Sequence, residues 1–373
     1  MSERTEGASA GLFAEGVVKA GAHDAPAPRG RFARLAAVAV TALRWLLTLT
    51  TSLLGLLAMT FLIGRALPVD PVLAVVGEHA SPAVYAQARA AMGIDRPLPV
   101  QFGLYLWRVL HADFGVSVTT GQPVLHDVAQ FFPATVELAS LAMLIGIAVG
   151  VPAGVLAAVW RGRAADTLIR LVALCGYSTP VFWLGLIGLG ILYEHLGWIA
   201  GPGRIDIAYQ YSIDTHTGLM LVDTLLAGSW DAFVNACSHL VLPGILLGLS
   251  TAAYLSRMTR SFMIDALSSE YVLAARMKGL GEFRVVFRHA LANACIPLLT
   301  TLALAYAYLL EGTVLVETVF TWPGIGLYIA QSIFSADLPA VLGATTLVGL
   351  CFILLNAAVD AVTPLLDPRV RPR

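Results

Sequence analysis

A basic segment, residues 268–297, carries the side chains whose types and spacing best suit interaction chemistry. Glu270 can begin a helix there, because an acidic group is favourable at the positive N-terminal end and either preceding serine can cap it. Gly279 can end the same helix, since glycine readily adopts the left-handed conformation that closes many helices. Four residues at three- and four-residue spacing share one face of this helix, namely Tyr271, Ala274, Ala275 and Lys278. Small and basic groups on a short helix predict a docking surface for another protein; attraction to anionic lipid is the alternative.

Chemistry carried out by the chain itself is not predicted. Only two lysines occur, and Lys278 follows Ala-Ala-Arg-Met rather than a glycine-rich phosphate loop. No His-Glu-x-x-His motif occurs, and His195 and His289 have no second histidine at metal-ligand spacing. The one Gly-x-Ser-x-Gly match, around Ser9, does not follow a strand. We therefore predict no catalytic residues, no metal site and no cofactor.

The elements that must position the basic segment are long and apolar. The chain is 58% hydrophobic and 13% charged, with a mean hydropathy of +0.78. Its charge-free runs are each about 20 to 25 residues long, which is enough for a helix to cross a bilayer. Backbone groups find no partners in lipid, so runs of this length predict helices. The runs are 45–64, 138–160, 171–193, 232–256, 291–310 and 338–359. We expect an all-α, polytopic membrane protein with six transmembrane helices in a domain covering 45–368.

The distribution of charge predicts the orientation in the membrane. Most of the 23 basic residues lie in residues 1–44, 161–170, 257–288 and 369–373. The positive-inside rule places these segments, and thus both termini, in the cytoplasm. We expect 1–44 and 369–373 to be cytoplasmic tails, the first of them flexible. A further apolar run, 318–335, would put the basic C-terminus outside if it crossed, so we read it as a short outer or re-entrant element.

The outer side carries two long segments, 65–137 and 194–231, that are long enough to fold. Either a docking surface or a lid over helix ends would explain them. No span carries a charge near its middle, which argues against a relay of buried carboxylates. Five residues in or directly after predicted spans are candidates for lining a pathway, although packing is the commoner role for membrane aromatics: Phe182, Trp183, Tyr306, Tyr308 and Glu311.

Short motifs follow one another in a fixed order along most of the chain. The basic segment contains Glu-Tyr-Val at 270–272, Ala-Arg at 275–276, Lys-Gly-Leu at 278–280 and Arg-His-Ala-Leu at 288–291. Further motifs stand at 67–71, 92–101, 114–117, 133–138, 179–185, 311–317, 323–326 and 367–369. Taken together, residues 45–369 resemble permease subunits of oligopeptide/dipeptide ABC importers. The basic segment is similar to the cytoplasmic EAA loop of that family.

The resemblance implies a fold, a function and partners. The fold would be that of an ABC importer type I permease, with folded outer loops and a cytoplasmic coupling helix within the loop 257–290. That helix would dock on a separate ATPase subunit through Glu270, Tyr271, Ala274, Ala275, Arg276, Lys278 and Gly279.

The implied complex contains a second permease subunit (a heterodimer is expected), two ATP-binding ATPase subunits and an extracytoplasmic solute-binding protein, in the bacterial cytoplasmic (inner) membrane. Lipid is the other contact, and no nucleic acid is implied. The chain would not be an enzyme, since ATP hydrolysis would reside on the partner ATPases.

One departure from the family pattern leaves the role of Glu270 open. In the general EAA pattern an acidic residue directly precedes the paired small residues, whereas here Leu273 stands there and Glu270 is three residues earlier. Di- or oligopeptides are the expected solutes, with nickel chelates, glutathione or peptide antibiotics as alternatives. An ATP-independent secondary transporter is a further alternative, but inverted repeats and polar residues at mid-membrane are not found in the sequence.

Overall fold

The computed structural model describes residues 31–66, 71–77 and 79–366. The predicted tails at 1–30 and 369–373 lie outside these residues, as do most of motif 67–71 and all of motif 367–369. The α-helices, in chain order, are α1 (Arg31–Ala66), α2 (Pro71–Val76), α3 (Pro82–Met92), α4 (Leu98–Leu110), α5 (Val124–Val159), α6 (Ala164–Ser178), α7 (Val181–Gly188), α8 (Ile207–Gln210), α9 (Met220–Leu226), α10 (Trp230–Leu267), α11 (Glu270–Met277), α12 (Glu282–Arg284), α13 (Ala292–Gly312), α14 (Val314–Val319), α15 (Ile325–Phe334) and α16 (Leu338–Leu366). A π-helical segment, Leu189–His195, continues α7, and another, Val285–Leu291, joins α12 to α13. No strand forms among the described residues, so the predicted all-α class is confirmed.

The count of membrane spans depends on one sharp bend. Five stretches of the described chain are long and apolar enough to cross a bilayer, namely Leu46–Arg65, Val124–Val159, Trp230–Leu267, Glu282–Val319 and Leu338–Ala358. The predicted span 171–193 is instead split between α6 and α7, whose axes meet at 86°. Pro180 causes the break, because it lacks a backbone N–H and biases Thr179 towards the extended conformation seen there (φ −88°, ψ 126°). The bundle thus has six spans when the bent pair counts as one.

The helices extend beyond the apolar runs from which they were predicted. The α5 helix begins at Val124 rather than 138, and α10 continues to Leu267 rather than 256. The α1 helix begins at Arg31, so the part of the predicted flexible tail at 31–44 is helical. Charged residues mark where a helix leaves the hydrocarbon, whereas the helix itself continues through good helix formers such as Ala, Leu and Arg.

The most extensive helix contact in the bundle joins α5 to α10. Gly150 and Gly154 let the two backbones approach, because a Cβ at either position would lie 2.6 Å from a backbone oxygen of α10. Small residues spaced by four at a crossing are a common device of membrane helices, since van der Waals packing drives their association. The core formed around this crossing also receives Ala305 from α13 and Trp322 from the α14–α15 connection.

The run 318–335 does not form a further span. It contributes the end of α14 and the ten-residue helix α15, whose Ile325 and Tyr328 are buried against Val124 of α5. We refer to the end of the bundle that carries α9 and α15 as the outer end, and to the end that carries α11 as the inner end, following the charge distribution.

Candidate functional site

The basic segment folds as predicted into a short helix at the inner end, α11. Ser269 occupies the capping position with an extended backbone (φ −76°, ψ 153°). The expected side-chain cap is not made; the Ser269 hydroxyl donates to the Ala266 carbonyl at 2.5 Å. Glu270 therefore provides the one acidic group in the first turn of α11, where it complements the helix dipole.

A Schellman motif ends α11 at the predicted glycine. Gly279 has φ +75°, a left-handed conformation that glycine adopts without steric cost. Its N–H donates to the Arg276 carbonyl at 2.9 Å, and the Leu280 N–H donates to the Ala275 carbonyl at 3.3 Å. These two bonds satisfy carbonyls that would otherwise have no partner at the helix end. Leu280 also packs against the cluster of buried apolar residues that lies beneath α11. The glycine thereby fixes where the chain leaves α11.

One face of α11 is buried against its own chain. Val272 and Ala275 lie in a cluster with Met263 of α10 and with Val285 and Ala290 of the π-helical segment. Ala275 is therefore turned towards the permease interior, whereas its neighbour Ala274 is half-buried. The buried cluster therefore connects α11 with α10 and with the segment that leads into α13.

The opposite side of this region presents an exposed set of apolar side chains, which we name the inner apolar patch. Its members are Leu273, Met277, Phe283 and Phe287. Met277 is 76% exposed and Phe283 is 77% exposed. The Phe283 and Phe287 rings pack on each other with centroids 4.6 Å apart. The sequence argument missed these residues, although two apolar pairs at four-residue spacing within a basic segment were a readable signal.

Charged residues stand next to members of the inner apolar patch along the chain. Arg276 makes two bonds to the Glu282 carboxylate, from Nε at 2.9 Å and from Nη2 at 3.2 Å, and both side chains are exposed. Glu270 and Lys278 are also exposed, and the Tyr271 ring is partly so. An apolar centre with a charged rim is the usual composition of a protein–protein contact surface.

A bidentate ion pair holds the inner ends of α6 and α10 together. Arg260 donates from Nε to Asp166 Oδ1 at 2.8 Å and from Nη2 to Asp166 Oδ2 at 2.9 Å. The Gly162 N–H adds a third bond to the Asp166 carboxylate at 3.0 Å. Because Asp166 is buried and accepts three hydrogen bonds, this pair holds the inner ends of α6 and α10 in a defined geometry.

At the outer end, residues of the sequence motifs 133–138, 311–317 and 323–326 meet around the carboxylate of Glu317. Glu317 is fully buried and accepts hydrogen bonds from the hydroxyls of Thr135 at 2.6 Å and Thr313 at 2.8 Å. Its other oxygen accepts the Leu327 N–H at 2.9 Å, at the first turn of α15. A carboxylate at a helix N-terminus satisfies N–H groups that have no partner within the helix. Gly324 is required beside it, since a Cβ there would lie 2.4 Å from Glu317 Cδ.

A second buried charge pair ties the outer segment 194–231 to α5. Arg204 donates from Nε to Glu137 Oε2 at 2.9 Å and from Nη2 to the Gly218 carbonyl at 2.8 Å. The other Glu137 oxygen accepts the Leu221 N–H at 2.7 Å, and the guanidinium lies over the Trp322 ring. These contacts show that the outer segment is folded, as predicted, and that it is attached to the helix ends.

The carboxylates of Asp337 and Asp223 accept hydrogen bonds within turns at the outer end, and these bonds lower their pKa values. Burial alone would raise the pKa of Asp337, but its bonds from the Ser117 hydroxyl (2.6 Å) and the Thr119 N–H (2.9 Å) outweigh burial and lower that pKa. Asp223 behaves alike: burial acts to raise its pKa, and bonds from Thr217 and Gly218 lower it overall. Both groups are therefore charged at neutral pH and hold their turns as hydrogen-bond acceptors.

The five candidate pathway residues lie on two different helices. Phe182 and Trp183 are exposed near the start of α7, directly after the bend. Tyr308 and Glu311 are exposed on one face of α13, while Tyr306 is half-buried and its hydroxyl lies 3.0 Å from Ser140 Oγ. Pathway lining remains a prediction for these residues. Within the described residues, no group of three or more His, Cys, Asp or Glu side chains could hold a metal ion.

Comparison with known proteins identifies the family. Residues 150–372 match the family described as the binding-protein-dependent transport system inner membrane component, and residues 41–139 match the N-terminal region of membrane components of such systems. The chain belongs to this family. It is therefore a multi-pass permease component of the inner membrane, in a system that also uses substrate-binding and ATPase partners.

Several curated relatives are similar to this permease along nearly their whole length. It is 43% identical over 317 residues to the probable D,D-dipeptide transport system permease protein of Escherichia coli K12, covering 85% of this chain and 93% of that one. It is 43% identical over 318 residues to the di/tripeptide transport system permease protein of Pseudomonas aeruginosa, covering 85% and 94%. Among solved structures, an inward-facing methionine ABC transporter, MetNI, matches with a TM-score of 0.46 at 15% identity, covering 63% of this chain and 93% of that chain.

Proposed function

We propose that this permease is the membrane subunit of an ATP-driven importer of di- and oligopeptides. Its family fixes the dependence on a binding protein, and the relatives named above are permeases for dipeptides and tripeptides. The observation that supports ATP-driven transport is the inner apolar patch, part of which lies on α11, a helix with defined ends. Exposed phenylalanine rings within a charged surface indicate a site that a partner covers.

In this proposal α11 is the coupling helix, docked on an ATPase subunit. Tyr271, Ala274 and Lys278 would form the contact together with the inner apolar patch, and Glu270 and Arg276 would contribute to its charged rim. Ala275 and Gly279 act differently, because Ala275 packs beneath the helix and Gly279 fixes its end. Movement of the ATPase would then pull on α10 and α13, to which the buried face of α11 is attached.

The outer end supplies the surface for the binding protein. A cleft of about 980 Å³ opens there between α5, α8 and the segment before α9, with His126, Tyr211 and Met220 in its wall. Tyr211 is 88% exposed. Outer loops anchored by a buried ion pair and by buried hydrogen-bonded carboxylates suit a docking surface, since little loop entropy is then lost on binding.

Exposed apolar faces suit a second permease subunit and lipid. Leu168, Leu171, Val172 and Leu174 lie along α6 with their side chains largely exposed. A similar but distinct second permease would complete the pathway, which places Phe182, Trp183, Tyr308 and Glu311 along it in the proposed heterodimer, with Tyr306 supporting α13. Both termini would be cytoplasmic, in keeping with the positive charge of the inner segments.

Affinity purification of the intact complex from native membranes tests this proposal. A tagged permease should co-purify with two ATPase chains that carry a glycine-rich phosphate loop, and with a second permease. Peptide-loaded binding protein should stimulate ATP hydrolysis by this complex. A permease that purifies alone, yet still restores peptide uptake in a deletion strain, would refute the ATP-driven assignment.

A further inference from the structure

A cavity of about 230 Å³ lies at the outer end of the bundle, between α1, α4 and α16. The apolar stretch Leu46–Arg65 of α1 ends in its wall with Arg65, and the stretch Leu338–Ala358 of α16 begins there with Leu338. An apolar stretch ends where its helix leaves the hydrocarbon. The cavity therefore lies at the boundary between the hydrocarbon and the outer headgroups of the bilayer, apart from the cleft that we assign to the binding protein.

One face of α4 closes the cavity on one side. Four residues at three- and four-residue spacing line the cavity, namely Gln101, Leu104, Tyr105 and Arg108. The Tyr105 hydroxyl lies 2.9 Å from Thr346 Oγ1 of α16, and the centre of the Tyr105 ring lies 5.8 Å from that of the Phe61 ring of α1. These contacts fix α4 against the outer ends of both spans.

A second face of α4 is apolar and exposed. Val100, Trp107 and Leu110 are spaced by seven and three residues, so they share this face, and Trp107 is 61% exposed. A helix with an apolar exposed face beside the ends of two spans suits the membrane interface, where tryptophan is enriched. Lipid is therefore the molecule that surrounds this cavity.

The charged groups in the cavity wall leave an excess of positive charge. Arg65 donates to Gln101 Oε1, and a guanidinium has five N–H donors, so others are left for a ligand. Among the described residues, no carboxylate forms an ion pair with Arg65 or Arg108. The Asp113 carboxylate also lines the cavity, and its Oδ1 accepts the Gly115 N–H at 3.1 Å. Two arginines and one carboxylate give the wall a net charge of +1, which complements a single phosphodiester.

We propose that this cavity binds the headgroup of an anionic phospholipid of the outer leaflet, with the phosphate between Arg65 and Arg108. Guanidinium groups bind phosphate through charge-assisted N–H bonds that fix its orientation. The acyl chains would extend along the exposed side chains of Leu54 and Leu62, which share the side of α1 that carries Arg65. One phosphodiester matches the charge of the wall, so phosphatidylglycerol is the expected class of lipid. The site is independent of the solute that the permease carries.

Lipid binding by the full-length permease tests this inference. The permease is purified with any partners that accompany it, depleted of lipid and titrated with phosphatidylglycerol, and native mass spectrometry measures the bound lipid. We expect the double variant Arg65→Gln/Arg108→Gln to bind at least about tenfold more weakly, because the charge-assisted contacts to the phosphate are lost. Arg89→Gln/Arg96→Gln is the matched control. It removes two exposed arginines of the outer end that do not line the cavity, and it should bind like wild type.

Three results would overturn the site. They are a wild type that binds no phosphatidylglycerol, equal affinities for wild type and the cavity variant, and an equal loss in the control, which would indicate a response to overall charge. Glycerophosphoglycerol, the same headgroup without acyl chains, distinguishes a lipid from a soluble phosphate ester. We expect it not to displace the lipid at equal concentration, and displacement would overturn the lipid as the ligand.

A single substitution decides the matter should the double cavity variant not fold. Arg108→Gln removes an exposed side chain that forms no ion pair within the part of the chain that the structure describes, so folding should be unaffected. Binding of phosphatidylglycerol that is several-fold weaker in this variant supports the site, and unchanged binding overturns it.

Discussion

Glu317 shows how one residue connects distant parts of this permease. Its carboxylate joins Thr135 of α5, Thr313 at the end of α13 and the Leu327 N–H of α15. Each partner satisfies part of a buried charge that has no cation bonded to it within the described residues. Removing a buried acceptor of this kind leaves three donors without a partner, at about 1–3 kcal/mol each.

The space around Glu317 yields the first prediction. Gly324→Ala places a methyl group within 2.4 Å of the Glu317 side-chain carbon, so the network must shift. We expect a loss of about 1–3 kcal/mol in stability, measured by thermal unfolding in detergent. Gly312→Ala is the matched control, because a Cβ there meets nothing within 4 Å. Equal unfolding temperatures for the two variants would contradict the packing described here.

Asp337 yields a prediction for the pH dependence of stability. Its folded pKa is lowered, so its contribution is present above the unfolded value of about 3.9 and is lost as the pH falls through the folded pKa. We expect Asp337→Asn to unfold more readily than wild type at pH 7, by about 1–3 kcal/mol, with the difference shrinking as the pH approaches 3. Asp95→Asn removes an exposed ion pair with Arg89 and should change stability little at either pH. A constant Asp337→Asn deficit across this range would rule out a charged Asp337 as the cause.

At the scale of single elements, α11 depends on its two faces for different tasks. The buried face attaches it to α10 and α13, and the exposed face carries part of the inner apolar patch. Ala275→Glu would put a charge into the buried cluster, so it would disturb the loop itself rather than its docking surface. Substitutions on the exposed face are therefore the cleaner test of coupling.

Met277→Asp and Phe283→Asp are predicted to weaken binding of the ATPase subunits. Both residues are exposed, so the permease should still fold and insert. Central apolar contacts dominate binding energies, and we expect at least about a tenfold loss of ATPase retained during purification, with loss of peptide-stimulated hydrolysis. Phe334→Asp, equally exposed at the outer end, is the control and should retain the ATPase. Full retention in both patch variants would remove α11 from the docking surface.

The crossing of α5 and α10 gives a prediction about assembly. Gly154→Val would drive a side chain into the Ser256 carbonyl, which lies 2.6 Å from the position of the new Cβ. Backbone contacts cannot rearrange as side chains do, so we expect a loss above the usual 1–3 kcal/mol of overpacking, seen as reduced folded yield. Gly55→Val in α1 has open space around it and should fold normally. Normal yield of the Gly154 variant would mean that the helices pack more loosely than described.

The sequence was sufficient to predict those elements whose ends are determined by neighbouring residues. Gly279 and the residues around Ser269 predicted both ends of α11, because caps act within one turn. Residues 171–193 were predicted as one span, and the 86° angle between α6 and α7 could not be predicted, because it depends on packing against distant helices. The meeting of Thr135 with Glu317 could not be predicted from one sequence, since the two are 182 positions apart. The inner apolar patch was missed because exposure is a property of the folded loop.

At the scale of the whole molecule, the permease has an outer end tied by buried hydrogen bonds, a core at the crossing of α5 and α10, and an inner end that carries α11 and the inner apolar patch. The buried pairs Glu137–Arg204 and Asp166–Arg260 lie at opposite ends of the bundle. If α11 is the coupling helix, as proposed, a pull on it would reach α10, which contacts both α6 and α7.

Uptake by the reconstituted importer tests the central claim most directly. Proteoliposomes contain this permease with its co-purified permease and ATPase partners, ATP is enclosed at the inner face, and labelled dipeptide is supplied with its binding protein outside. We predict accumulation that requires ATP, the binding protein and this permease together, and that falls to background in Met277→Asp. Accumulation that continues without ATP, or that follows a proton gradient instead, would contradict the account.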